Sequence, residues 1–137
     1  MIRSVHIERR DLPFTTPLMT GRGPVTHRVV FLVRLRTADG GGGLGEAAPL
    51  EWAGTESVEE CGAALAGLQE RVVVGQDPGD VLLGCPAAAA GWDQAVRDLE
   101  ARRAGMKPGL LEELVRAQVA RLTSTEEAPV SERAPAR

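Results

Sequence analysis

Apolar and polar residues alternate along this chain at two different periods, and the change falls near residue 57. Before it the period is two. Val5 and Ile7 alternate with His6 and Glu8, which predicts a half-buried strand over residues 2–10, ended by Leu12, Pro13, Phe14 and Pro17. Residues 15–24 hold two glycines and two prolines and predict an exposed, mobile loop that neither continues a strand nor starts a helix. The strongest strand signal is residues 27–37, with Val29, Phe31, Val33 and Leu35 on one face and Val30, Leu32, Arg34 and Arg36 on the other. Asp39 and Gly40 then make a turn, and residues 44–50 return as a third strand, so the pair reads as an antiparallel hairpin with extra glycine at its tip.

From Ser57 onward the period is that of helices. Ser57 and Glu60 have the spacing of a capping box, in which each side chain satisfies a backbone N–H of the other's turn. Val58, Cys61, Leu65 and Leu68 follow as one apolar stripe and predict a helix to about residue 71. After a break at residues 75–84, Pro86 opens a second helix, because its missing N–H costs nothing in a first turn, and Gly105 closes it as a left-handed cap. Its inward stripe is Trp92, Ala95, Val96 and Leu99, opposite Asp93, Arg97, Glu100 and Arg103. Residues 110–122 predict a third helix with Leu111, Leu114, Val115 and Leu122 inward. The expected fold is therefore α+β, a three-stranded antiparallel sheet followed by a three-helix unit packed on its apolar face, as one domain over residues 1–122. Residues 123–137 shift to Ser, Thr, Glu, Pro and Ala, and disorder is expected there.

Composition narrows the function classes. Leu, Ile, Val and Phe make up about 24% of the 137 residues, above the roughly 20% below which disorder is the default. The length excludes a complete (β/α)₈ barrel, which takes at least about 200 residues. The 16 basic residues against 19 acidic ones include a single lysine, Lys107, and the scattered arginines leave no footprint for a phosphate backbone; no nucleic acid partner is expected. No apolar run approaches a membrane span and the first residues are charged, so neither a membrane nor a signal peptide is expected and the cytoplasm is the expected location. Cys61 and Cys85 are too few for a zinc site or a disulfide framework and read as small core residues.

The candidate chemistry is sparse. Gly40, Gly42 and Gly45 match G-x-G-x-x-G, but the pattern binds nucleotides only where a strand leads into a helix, and here Pro49 and extended sequence follow. A glycine-rich hairpin tip is the better reading. His6 and His27 have no nucleophile beside them in sequence and read as strand surface. Glu46 could ligate a metal or accept backbone bonds, and the sequence names no further oxygen ligands to converge with it. Asp93 and Asp98 fall on different faces of one helix, while Asp98 and Arg102 have ion-pair spacing.

The order of these features resembles a known family. Arg10-Asp11-Leu12-Pro13-Phe14, the Thr20-Gly21-Arg22-Gly23 segment, Arg28 leading into an apolar strand, Asp39-Gly40, residues 43–50 (GLGEAAPL) and Thr55-Glu56-Ser57 are similar in succession to the N-terminal capping domain of the enolase superfamily. Within it the chain resembles the muconate-lactonizing subgroup, including muconate cycloisomerases, and residues 49–56 (PLEWAGTE) are especially similar to o-succinylbenzoate synthases of menaquinone biosynthesis. Residues 92–105 resemble a helix of the same domain. The resemblance covers residues 2–114 and implies part of a lyase or isomerase that removes a proton beside a carboxylate and holds the enolate on Mg²⁺, using lysines and three acidic ligands of a (β/α)₈-barrel partner. The complete family enzyme takes Mg²⁺; in this chain no metal, no cofactor and no catalytic residue is expected, since a Lys-x-Lys pair cannot be made from Lys107 alone. What carries over is the lid over a small carboxylate substrate: Thr20, Gly21, Arg22 and Gly23 in one loop, Trp52, Ala53 and Gly54 in the other. Trp52 either covers the sheet edge or packs against a ligand. The chain is thus expected to be a truncated cap, not catalytic alone and prone to self-association where a barrel would cover it. A stand-alone binding or interaction module that kept the cap fold is the alternative.

Overall fold

The computed structural model describes residues Met1–Gly105 of the protein. Strand β1 (Ile2–Thr20), β2 (Gly23–Thr37) and β3 (Gly42–Ala47) form one antiparallel sheet in the order β1-β2-β3. Two α-helices follow among the described residues, α1 (Val58–Val73) and α2 (Pro86–Arg103), each preceded by a short 3₁₀ turn, Glu51–Ala53 and Gly79–Leu82. The α+β sheet-then-helix order is as expected. The third helix and the polar tail expected over residues 110–122 and 123–137 lie outside the described residues.

The core forms where the two periodicities meet. Val29, Phe31, Val33 and Leu35 turn one face of β2 inward, and Cys61, Leu65 and Leu68 of α1 are fully buried against that face together with Ala88 and Ala95 of α2. Each large apolar side chain buried this way stabilises the fold by roughly 1.5–3 kcal/mol. The start of α1 is the expected capping box: the Glu60 N–H donates to Ser57 Oγ at 3.1 Å and the Ser57 N–H to Glu60 Oε2 at 3.0 Å. Pro86 opens α2, and Gly105 adopts the left-handed φ of 75° just past its end. Cys61 is buried as expected, whereas Cys85 is only half-buried and stands at the cap position of α2 rather than in the core.

The strand boundaries depart most from expectation at residues 15–24. In place of a loop, β1 runs on to Thr20 and β2 begins at Gly23, leaving only Gly21 and Arg22 between them. The register explains how the prolines are tolerated. Pro13 pairs with His27 and Leu18 with Val25, so residues 14–17 bulge opposite Thr26 alone. Pro17 falls in that bulge, and beyond β3 the pair is a two-stranded ribbon whose outer edges owe no N–H to a neighbour.

The glycines of β3 have a different role from a hairpin tip. A Cβ built at Gly43 would overlap the Ala95 carbonyl oxygen, and one at Gly45 the Gly91 carbonyl oxygen, while a Cβ on Gly91 would come within 2.9 Å of Ala47. Three absent side chains thus let α2 lie directly on β3. Helix side chains then serve the strand's backbone: the Leu44 N–H donates to Asp98 Oδ2 at 2.9 Å and the Glu46 N–H to Gln94 Oε1 at 3.2 Å. Asp98 also forms the expected pair with Arg102 at 2.9 Å. No nucleotide-binding geometry exists here, since the chain after Gly45 continues as strand to Ala47.

Candidate functional site: the lid end of the sheet

Both proposed lid segments emerge from the same end of the sheet. β3 runs antiparallel to β2 with Ala47 opposite Phe31, so the chain leaving β3 heads the same way as the ribbon that ends at Gly21 and Arg22. Arg28, at the root of that ribbon, ties the two exits together: its Nη2 donates to the Ala48 carbonyl at 3.2 Å. Its Nε is buried without a hydrogen-bond partner among the described residues.

The ribbon tip is a tight, side-chain-closed turn. The Thr20 hydroxyl donates to the Gly23 carbonyl at 2.7 Å and accepts the Arg22 N–H at 3.3 Å. Gly23 has φ 112°, a conformation that a Cβ would strain, whereas Gly21 takes an ordinary φ with open space around it. Arg22 is exposed, and no carboxylate pairs with it among the described residues. Phe14, Leu18 and Met19 project from the ribbon, with Met19 73% exposed. Leu18 and Met19 are successive strand residues and leave apolar surface on both faces of the ribbon.

The second segment is a closed clip. The N–H groups of Ala53 and Thr55 donate to the Leu50 carbonyl at 2.9 and 3.3 Å, that of Gly54 to the Glu51 carbonyl at 3.1 Å, and that of Leu50 to Thr55 Oγ1 at 2.6 Å. Gly54 supplies the left-handed φ of 98° that ends the turn. Trp52 stands at its crest, 48% exposed. Ala53 and Gly54 are exposed beside it.

Sequence reasoning missed the structural part that Glu56 plays beside this segment. It is 5% exposed, and its carboxylate accepts the N–H groups of Ala87 at 2.8 Å and Ala88 at 3.1 Å. These are donors of the first turn of α2, whose own cap residue, Cys85, makes no side-chain cap bond. The signal was present: a helix opened by proline but lacking Ser, Thr, Asp or Asn before it leaves donors that something else must satisfy. The Cys61 thiol is pushed up to about 12, first by its burial and then by the Glu56 carboxylate and Cys85.

His6 and His27 are exposed, Glu46 is exposed on β3, and Asp93 pairs with Arg97 at 3.0 Å. Among the described residues no three His, Cys, Asp or Glu side chains converge as metal ligands, so no step through a metal is derived from them. A cavity of about 480 Å³ opens at the opposite end of the sheet, between Met1–Arg3, Val72, Val73 and Trp92, and none of Thr20, Gly21, Arg22, Gly23, Trp52, Ala53 or Gly54 lines it. No helix among the described residues is long and apolar enough to cross a membrane.

Comparison with known proteins gives this arrangement a family. No protein-family model matches the chain. An aromatic dipeptide epimerase from Herpetosiphon aurantiacus is 31% identical over 115 residues, which cover 84% of this chain. A dipeptide epimerase from Methylococcus capsulatus, solved with Mg and the dipeptide L-Arg-D-Lys, superposes with a TM-score of 0.67 at 31% identity over 76% of the chain. The chain matches the N-terminal capping domain of enolase-superfamily enzymes. The o-succinylbenzoate synthase of Thermosynechococcus elongatus BP-1, solved with Mg in its active site, shares this capping fold with a TM-score of 0.59 at 25% identity over 70% of the chain. The capping chain spans about 31% of the curated epimerase, 32% of the Methylococcus enzyme and 30% of the synthase.

Proposed function

We propose that this capping domain is the substrate lid of an enolase-superfamily lyase or isomerase, and that Thr20, Gly21, Arg22 and Gly23 with Trp52, Ala53 and Gly54 are its substrate-facing edges. The supporting observation is the common end of the sheet from which both segments emerge, with Met19 and Trp52 left in water there. Closed over a (β/α)₈ barrel, the two edges exclude water and contact the substrate away from its reacting carbon. Arg22 offers a guanidinium to a carboxylate, and Trp52 an apolar ring face. The proton abstraction and the Mg²⁺ belong to the barrel in this reading.

A dipeptide is the favoured substrate class, because the Herpetosiphon and Methylococcus epimerases each match at 31% identity and the synthase at 25%. o-Succinylbenzoate chemistry, and with it a place in menaquinone biosynthesis, is the second reading, favoured by the PLEWAGTE segment at residues 49–56. Both substrates are small carboxylates. A chimaera joining this chain to the barrel of the Methylococcus epimerase tests the proposal. It is expected to epimerise dipeptides in the presence of Mg²⁺, and Arg22→Ala or Trp52→Ala should each raise KM by about tenfold with a smaller change in kcat, the mark of lost substrate binding. Equal turnover by both variants would return these residues to scaffold, and formation of o-succinylbenzoate from its precursor in place of epimerisation would select the second substrate class.

A further inference from the structure

Between its entry at Ala48, held by Arg28, and its exit into the Ser57 cap of α1, the Trp52 segment is tied to α2 through one buried side chain. Its own hydrogen bonds close it from Leu50 to Thr55, so it behaves as a unit, and the Thr55 hydroxyl continues that network by donating to the Glu56 carbonyl at 3.1 Å. The next contact is the Glu56 carboxylate on Ala87 and Ala88, 31 and 32 residues away in sequence. We propose that Glu56 is the positioning residue of the Trp52 segment: its grip on the first turn of α2 sets the place from which Trp52 is presented.

The grip is strong for its size. A carboxylate accepting two backbone N–H groups makes charge-assisted bonds, and the N-terminus of an 18-residue helix favours a negative charge. Two oxygens on two adjacent donors also fix direction, which a single bond would not. α2 is itself held immobile on β3 by the Gly43, Gly45 and Gly91 contacts and by Asp98 and Gln94. The segment therefore inherits the rigidity of the sheet through Glu56. A cap drawn from the residue before α2 would satisfy the same donors and leave the Trp52 segment without its tie to α2.

That Trp52 faces substrate rests on the lid reading above; that Glu56 holds its segment does not, and the experiment reads only the second. Amide hydrogen exchange is followed by NMR on the full chain, in the unaltered protein and in Glu56→Gln, which keeps the size of the side chain but turns one acceptor into a donor. Exchange is expected to quicken about tenfold or more at Ala53, Gly54, Thr55, Ala87 and Ala88, and to stay within roughly twofold at Val33, Leu65 and Ala95. No change at Ala53 to Thr55, or the same acceleration at every amide, overturns the proposal, the latter because it would mean loss of overall stability only. Should Glu56→Gln fail to fold, the unaltered protein in rising sub-denaturing urea decides. The amides of Ala53 to Thr55 and of Ala87 and Ala88 are expected to converge on one opening curve, and two separate curves overturn the assignment.

Discussion

At the scale of the residue, Cys61 shows what burial does to a titratable group. The thiol sits among Leu65, Ala88 and the β2 face with no exposed surface, and the nearby Glu56 carboxylate adds to the cost of a thiolate. The folded thiol titrates at about 12 against an ordinary value of 9.0, so the native state holds its proton over a pH range in which the unfolded chain releases it. The sign follows: Cys61 contributes full stability below pH 9 and loses it as pH rises toward 12. The chain has no tyrosine and one lysine, which leaves the two thiols dominating that alkaline range. Thiolate absorbance in the ultraviolet is therefore expected to grow in two stages, Cys85 first. Iodoacetamide at pH 8.5 should mark Cys85 well before Cys61, which becomes reactive only on unfolding; equal labelling of both in the native protein would contradict this packing. Asp39 is shifted the other way, held down to about 2 by the Thr37 hydroxyl, the Gly41 N–H and Arg103.

At the scale of the element, the β3–α2 contact makes the sharpest stability prediction. Gly45→Ala would force a methyl into the Gly91 carbonyl oxygen and the Ala95 amide, and such overpacking typically costs about 1–3 kcal/mol. Gly21→Ala, with open space around it, should lie within about 0.5 kcal/mol of the parent. Urea unfolding of the two variants checks this, and comparable midpoints would mean that α2 does not rest on β3. This contact also marks the limit of what the sequence discloses. The inward face of β2, the Ser57 capping box and the Pro86 helix start were legible because each is a local pattern whose cause lies within one turn or one strand. The glycines of β3 were not. A glycine run reads as a turn when only neighbours along the chain are considered, and its close approach to a helix some 50 residues later leaves no periodic trace. The ribbon over residues 12–28 was misread for a related reason, since prolines end strands on average but not in a bulged pair with open edges. Of the proposed lid residues, types and order were legible; that their two segments share one end of the sheet required the register.

At the scale of the whole molecule, the described residues divide into a packed sheet-and-helix body and a two-stranded ribbon carrying Leu12, Phe14, Leu18 and Met19. On the lid proposal this ribbon is the surface a barrel covers, and without that cover the isolated chain is expected to self-associate through it. Sedimentation velocity over a hundredfold concentration range should show a rising weight-average mass, lowered by Leu18→Ser with Met19→Ser. A concentration-independent monomer would argue that the ribbon needs no partner. Where such association can extend is set at the edges of the sheet. A bare strand edge is a template, on which any extended chain can add and itself be added to, the opening step of a fibril. With the Leu44 and Glu46 N–H groups already held by Asp98 and Gln94, those donors are closed to an incoming strand. Backbone pairing is thereby blocked at β3 and left to the outer edge of β1 and the open edges of the ribbon.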